Sequence, residues 1–375
     1  MLRLSIHFEK REKESMIMRF LIPLFCIFLA LFVSGIVMEV LGHNSIQAYQ
    51  FMFKGGFGSW RNITESILQA VPLMFCGLGV AVASKMSLNN IGAEGQFMLG
   101  AWAATGIALF ADWIPSSLII PAVLIGGFLA GGIWAVIAVF PKAKWGVNET
   151  IITLMFNYIA LLFVDYFVYG SWRDTSFVGT NLPYSETLPP HARMSYLGNT
   201  RVTWAIFIAV IAAVLIWVFF EKTVLGYQVR VIGSNNKAAT YAGMKISRNM
   251  LIIMLISGGL AGLGGVATVT GAVGCLQPNL ANGAGYTAIV ISYMSRHNPF
   301  VVLLVSILFG GLAQGGFNVQ ITGVPAQIVT LIQGLILFFI LGGNIFARKR
   351  LVISRRPSKS ELRSLASASA EEGDK

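Results

Sequence analysis

Two polar clusters lie inside otherwise apolar sequence, and they hold the residue types best able to meet a small solute. The first spans 89–96 and the second spans 148–157, each at the start of an apolar run. Polar groups at membrane depth must face protein or water, because lipid cannot hydrogen-bond them. We therefore predict that eight residues line or support a substrate pathway: Asn89, Asn90, Glu94, Gln96, Glu149, Thr153, Asn157 and Gln314.

The same residues also permit a structural interpretation. Asn90 could cap a helix, with Glu94 stabilised by the positive end of that helix, and Asn148 and Glu149 could cap another. Asn157 lies too deep to act as a cap. Isolated polar residues in later apolar runs could instead form hydrogen bonds between helices; these are Ser292, Gln314 and Gln333.

Motifs for covalent chemistry and for metal binding are absent from the sequence. There is no HExxH, GxSxG or Walker A pattern, and the three cysteines show no CxxC spacing. The run from Gly262 to Ala267 resembles a dinucleotide fingerprint, but it lies in an apolar span without a preceding strand. We interpret it, like the paired glycines of 127–131 and 258–262, as close helix packing. The polar groups are mostly amides and hydroxyls, which suits a neutral, hydrogen-bonding solute better than an ion.

The polar clusters lie in a chain whose composition is that of a membrane protein. The 375-residue chain is 55% hydrophobic and 11% charged, with a mean hydropathy of +0.72, whereas soluble domains carry about 25% charged residues. We predict an all-α polytopic membrane protein with about ten spans. The spans are 20–41, 64–84, 91–110, 115–140, 150–170, 203–220, 250–272, 281–295, 299–317 and 325–343.

The basic residues predict the orientation of the spans. With both termini in the cytosol, 22 of the 27 Lys and Arg residues fall on the cytosolic side, as the positive-inside rule requires. This rule also explains the net charge of +11 without a nucleic acid partner. The predicted parts are a cytosolic segment (1–19), a transmembrane domain (20–345) containing a cytosolic loop (221–248), and a basic, disordered cytosolic tail (346–375). Two halves, 64–170 and 250–343, each contain a glycine-interrupted helix, which suggests an inverted repeat with broken helices.

Three stretches of the sequence resemble a known family. These stretches, 88–96, 148–160 and 233–244, are similar to bacterial ABC-importer permeases of the ribose/branched-chain amino acid superfamily. The pattern of 148–160 is most similar to the nucleoside (basic-membrane-protein-associated) branch. One departure is Asn89, where that family usually has phenylalanine.

The resemblance implies a type II, vitamin B12-transporter-like permease of the bacterial cytoplasmic membrane that imports nucleosides by alternating access. It implies a cytosolic ATP-binding subunit that carries ATP and Mg²⁺, a second related permease or a self copy, and an extracytoplasmic substrate-binding lipoprotein. The chain itself would be no enzyme and bind no cofactor. The 221–248 loop would dock the ATPase, and its predicted coupling residues are Gly233, Asn235, Lys237, Ala238, Tyr241, Ala242 and Gly243.

Other functions remain open at the level of sequence. Within the same superfamily the solute could be a sugar or a branched-chain amino acid. An ion-coupled secondary transporter is a weaker alternative, because the spans lack a chain of buried ionisable residues. A membrane-embedded enzyme has no catalytic constellation in this sequence, and an assembly protein would not need intramembrane polar clusters.

Overall fold

The computed structural model describes residues 4–10, 16–175, 183–325 and 327–355. The described residues contain two short strands, two 3₁₀ turns, one π-helical segment and thirteen α-helices. The helices are α1 (Met16–Val40), α2 (Ser45–Phe57), α3 (Trp60–Lys85), α4 (Ala93–Phe110), α5 (Ile119–Trp145), α6 (Glu149–Tyr169), α7 (Ala205–Lys222), α8 (Val224–Ser234), α9 (Asn236–Tyr241), α10 (Ile246–Ala267), α11 (Ala284–Met294), α12 (Pro299–Val319) and α13 (Gln327–Arg348).

The helical, membrane-spanning character of the chain is confirmed. Within the described residues, six helices are long and apolar enough to cross a bilayer, namely α3, α5, α6, α7, α10 with its π-helical extension, and α12. Each of the ten predicted spans overlaps one helix. The span predicted at 281–295 is only the 11-residue α11, and α2, α8 and α9 are helices outside the predicted spans.

The two ends of the chain form one compact unit of their own, made of residues 1–33 and 334–375. In it, β1 (Leu4–Lys10) pairs antiparallel with β2 (Lys349–Arg355), with Leu4 opposite Arg355. The all-α prediction did not include this small sheet. Residues 356–375, most of the predicted disordered tail, lie outside the described residues.

The second unit, residues 34–333, carries the helical body. Two of its helices are largely enclosed, since 83% of the apolar stretch of α3 and 72% of that of α10 with its π-helical extension are buried. α3 packs against α11 and α12, while α10 packs against α4 and α5. The inverted repeat of two halves stays a prediction.

Glycines allow α5 and α10 to touch backbone to backbone. A Cβ on Gly262 would stand 2.3 Å from the carbonyl oxygen of Gly127, and one on Gly131 would stand 2.4 Å from that of Gly258. These are the paired glycines of 127–131 and 258–262, so their predicted role in close packing is confirmed. Small residues permit such approach where lipid supplies no hydrophobic drive for helix association.

We expect Gly262→Val to destabilise the helical body by about 1–3 kcal/mol, because the new side chain would overlap backbone that cannot move aside. The thermal midpoint of the detergent-solubilised protein, followed by loss of its monodisperse chromatography peak, measures this effect. Gly334→Ala is the matched control, since a Cβ there meets nothing within 4 Å. Equal midpoints for Gly262→Val and the wild type would contradict the packing account.

Candidate functional site

The carboxylate of Glu94 connects the N-terminus of α4 to that of the short helix α11. Glu94 lies in the first turn of α4 and is 2% exposed. Its Oε1 accepts a hydrogen bond from the backbone N–H of Gly283 at 2.7 Å, and its Oε2 accepts one from Gly285 at 2.7 Å. Gly283 and Gly285 begin α11. One negative group therefore faces the positive ends of both helices, where backbone N–H groups lack partners within their own helix.

The approach at this junction leaves no room for a side chain on the α11 side. A Cβ on Gly285 would stand 2.2 Å from the backbone nitrogen of Glu94. Gly283 has a φ of 80°, in the left-handed region that favours glycine. Glycine at these two positions thus lets α11 begin directly against α4.

A closed amide pair fixes the segment before α4. The side chains of Asn90 and Gln96 exchange two hydrogen bonds of 2.9 Å. Asn90 also donates to the Ser257 hydroxyl of α10 at 2.8 Å, and that hydroxyl donates to the carbonyl of Gly79 on α3 at 2.7 Å. Asn90, Gln96 and Ser257 are at most 1% exposed. The network ties α3, α4 and α10 together with its buried polar groups paired.

Asn157 of α6 holds the other side of the same segment. Its Oδ1 accepts from the N–H of Gly95 at 2.9 Å, and its Nδ2 donates to the carbonyl of Ile91 at 2.9 Å and to the Tyr286 hydroxyl at 3.2 Å. The side chain is fully buried. Asn157 therefore connects α6 to α4 and α11, as expected of a residue too deep to be a cap.

The remaining residues of the second cluster lie at the junction of α5 and α6. Glu149 forms an ion pair with Lys142 at 2.5 Å and accepts a weak hydrogen bond from the N–H of Asn89 at 3.3 Å. Thr153 donates to the carbonyl of Glu149 at 2.7 Å and is fully buried. Asn89 is exposed, and its side-chain oxygen lies 3.5 Å from the Tyr293 hydroxyl. These contacts explain how the loop before α4 is held.

A cavity of about 310 Å³ opens between α3, α4, α11, α12, α13 and the π-helical segment that follows α10. Its wall holds five amide side chains, three threonines and two phenylalanines, and no ionisable residue contributes to the lining. This volume is at the lower end of the range of small-molecule sites. The polar and aromatic residues of the lining are Gln69, Phe97, Thr268, Asn282, Thr287, Phe317, Gln320, Gln327, Thr330 and Gln333.

The eight predicted pathway residues do not themselves line this cavity. Their neighbours do: Phe97 follows Gln96, and Asn282 and Ala284 flank Gly283, which Glu94 holds. Gln314 is half-buried on α12, one residue from Ala313 of the lining. The structure thus places the first cluster behind the cavity wall, and contact of the eight residues with solute stays a prediction.

The sequence did not predict the lining residues as part of a substrate pathway. Gln333 was one of the isolated residues, and it accepts a hydrogen bond from Thr287 at 3.0 Å, across two helices as expected. Asn282 could have been found from the Asn282–Gly283 dipeptide, which marks a turn and here has φ values of 44° and 80°. Gln69 carries no such signal, because a single amide in an apolar helix does not show which side faces a cavity.

The 221–248 loop folds as the two short helices α8 and α9. Asn235 caps α9 by accepting from the N–H of Ala238 at 3.1 Å, and Tyr241 is 93% exposed. Lys237, Ala238, Ala242 and Gly243 are exposed as well. Ala239, the remaining small residue of this helix, is buried within the chain.

Gly233, another predicted coupling residue, contacts the membrane domain. A Cβ on it would stand 2.2 Å from the carbonyl oxygen of Lys85, and its own carbonyl accepts from the Ser87 hydroxyl at 2.8 Å. Gly233 thus joins α8 to the end of α3 and to the loop that leads to Asn90.

The comparisons with known proteins all match transport permeases. Residues 62–341 match the family described as branched-chain amino acid transport system / permease component. A glucose ABC transporter permease of Haloferax volcanii is 35% identical over 88% of this chain and 90% of its own length. A guanosine ABC transporter permease of Bacillus subtilis is 33% identical (85% and 92%), and a nucleoside ABC transporter permease of Lactococcus lactis is 30% identical (85% and 90%).

Replacing Glu94 should cost stability in graded steps. Glu94→Gln turns one acceptor into a donor that faces an N–H, while Glu94→Ala leaves the N–H groups of Gly283 and Gly285 both unpaired. Each unpaired buried N–H costs about 1–3 kcal/mol, so we expect a lower thermal midpoint for Glu94→Gln and a still lower one for Glu94→Ala. Glu65→Gln, which only weakens a pair with the exposed Arg201, is the control. An alanine variant as stable as this control would contradict the junction.

Proposed function

Because the chain belongs to the branched-chain amino acid transport permease family, we propose that it is the membrane subunit of an ATP-driven ABC importer whose solute is a nucleoside. The family match covers the helical body, and two relatives named for nucleosides or guanosine share 30–33% identity over most of both chains. These relatives carry the proposal of solute. The glucose permease relative, at 35% identity, favours a sugar as the second candidate.

The cavity supports an uncharged solute over an amino acid. A branched-chain amino acid is a zwitterion at neutral pH, and its ammonium and carboxylate groups need charged partners when they leave water. The lining of amides, threonines and phenylalanines offers none. It does offer hydrogen-bond donors and acceptors for hydroxyls and ring nitrogens, which nucleosides and sugars both carry.

We place the nucleotide chemistry on a partner. A cytosolic ATP-binding subunit, which holds ATP and Mg²⁺, docks on α8 and α9, and this chain binds no cofactor. The exposed Tyr241 supplies an aromatic anchor, while Ala242 and Gly243 let the partner approach closely. Movement of this surface reaches the membrane domain through Gly233, which packs against Lys85 and Ser87.

The proposed orientation determines on which side of the membrane each remaining partner binds. The protein spans the bacterial cytoplasmic membrane with both termini in the cytosol, and it pairs with a second related permease or with its own copy. A substrate-binding lipoprotein docks outside on the segments 42–62 and 171–202. In this orientation the cavity residues on α12 and α13 lie toward the external ends of these helices, while those on α3 lie near its middle. ATP binding and hydrolysis then alternate the access of this path.

The predicted pathway residues serve this path mainly as supports in our proposal. Glu94, Asn90, Gln96 and Asn157 fix α4 and α11, whose neighbouring residues line the cavity. Glu149, Thr153 and Asn89 fix the loop before α4 at its cytosolic side, and Gln314 lies beside the wall on α12.

Uptake by the reconstituted importer tests the solute. The complex of this permease with its partners, in proteoliposomes containing ATP, should accumulate radiolabelled guanosine, and replacement of ATP by ADP should abolish accumulation. Glucose and leucine are the comparison solutes. ATP-dependent uptake of glucose or leucine without guanosine uptake would overturn the nucleoside assignment, and guanosine uptake that needs no ATPase subunit would overturn the importer.

The docking surface has its own test. In the double variant Tyr241→Asp, Ala242→Arg, a buried charge would oppose the ATPase contact, so we expect co-purification of the ATPase to fall at least tenfold. Tyr184→Asp, in the external segment 171–202, is the control and should leave co-purification unchanged. Retention of the ATPase by the double variant, or its loss only in the control, would place docking elsewhere.

A further inference from the structure

Three of the five amide side chains in the cavity wall come from three separate elements. Gln69 comes from the middle of α3, Asn282 from the turn before α11 and Gln333 from α13. Each is a neutral group with two N–H donors and one carbonyl acceptor. Together they surround the cavity with groups that can bind either polarity of hydrogen bond.

The hydrogen-bonding capacity of these amides is largely unused within the protein. The side-chain oxygen of Gln333 accepts a hydrogen bond from the Thr287 hydroxyl at 3.0 Å. This bond leaves the NH₂ group of Gln333 as a free donor within the described part of the chain. Among the described residues, no hydrogen bond to protein is recorded for the side chains of Gln69 and Asn282, and both retain access to solvent. Amides without protein partners at the wall of a cavity are available to a solute.

The wall also offers flat apolar surface beside the amides. Phe317 of α12 is 49% exposed and supplies this surface, while Phe97 of α4 also belongs to the lining but is 1% exposed. An aromatic ring can cover the face of another ring while amides bind its polar edge. This combination suits a planar heterocycle whose edge carries donors and acceptors.

The position of Asn282 is fixed from outside the cavity. It has a left-handed φ of 44°, and its neighbour Gly283 donates to Glu94 at 2.7 Å. The turn is further closed by a bond from the N–H of Ala284 to the carbonyl of Ala281 at 2.8 Å. Glu94 is thus a positioning residue for Asn282 rather than a contact for the solute.

We infer that Gln69, Asn282 and Gln333 form the solute-recognition site of this permease and that they select an uncharged nucleobase-bearing solute during its passage. The inference rests on the proposed function and adds the contacting residues to it. A charged solute finds no counter-charge on this wall, and an uncharged solute with too few polar groups leaves the amides unpaired, at the cost that unpaired buried polar groups carry.

Substitutions that keep shape but change polarity test the site in the assembled importer. In proteoliposomes with ATP, we expect Gln69→Glu and Gln333→Glu each to raise the KM for guanosine at least tenfold, because a carboxylate removes both N–H donors and adds a charge. The uncharged Gln69→Met should raise the KM by a smaller factor. Ser116→Asp, which adds a charge at an exposed position between α4 and α5, should leave the KM unchanged.

The same preparation separates a recognition role from a folding defect. Each variant complex should be as monodisperse as the wild type and hydrolyse ATP at the same rate without solute. If Gln69→Glu loses both uptake and assembly, the milder Gln69→Met variant tests the recognition role in its place. Wild-type complex that takes up no guanosine would defeat the proposed function. If the wild type takes up guanosine and its KM is unchanged in both Gln69→Met and Gln333→Glu, the recognition site alone is overturned. If these variants lose more glucose uptake than guanosine uptake, the nucleobase assignment is overturned.

Discussion

The contact on which the rest of the structure depends is the pair of hydrogen bonds that joins the Glu94 carboxylate to the start of α11. A buried carboxylate is costly unless its oxygens are hydrogen-bonded, and here each oxygen accepts a backbone N–H at 2.7 Å. The first turns of two helices supply the compensating positive potential. Without such a partner the first N–H groups of α11 would stay unpaired in apolar surroundings. At the start of α4 the N–H of Gly95 is instead bound by Asn157.

From this junction the architecture extends outward in both directions. On one side, Asn90, Gln96 and Ser257 join α4 to α3 and α10, whose neighbours α5 and α12 pack through glycines. On the other side, the turn that ends at Gly283 carries Asn282 into the cavity wall. Toward α8, the Ser87–Gly233 contact joins the loop before α4 to the proposed ATPase surface. Polar residues in this apolar body therefore connect helices, and the start of α11 that Glu94 binds is part of the cavity wall.

The sequence predicted the helical, membrane-spanning fold and the paired glycines, because apolar runs and small-residue spacing are local signals; the count of ten spans stays a prediction beside six helices long and apolar enough to cross a bilayer among the described residues. It also found Asn90, Glu94 and Asn157, since polar groups at membrane depth need partners. It could not tell that these partners are backbone groups of α11, which lies far along the chain. Likewise Gln69 and Gln333 are ordinary amides until the fold brings α3 and α13 around one cavity. The strand pairing of the two ends depends on a contact between remote segments, which no local pattern reveals.

A density map of the assembled importer, prepared with guanosine and trapped before hydrolysis, tests the central claim most directly. The account predicts density for a planar ring bordered by Gln69, Asn282 and Gln333, with the Glu94 carboxylate still within hydrogen-bonding distance of Gly283 and Gly285. Guanosine density elsewhere in the complex, with this cavity empty and the Glu94 side chain turned away from α11, would contradict it.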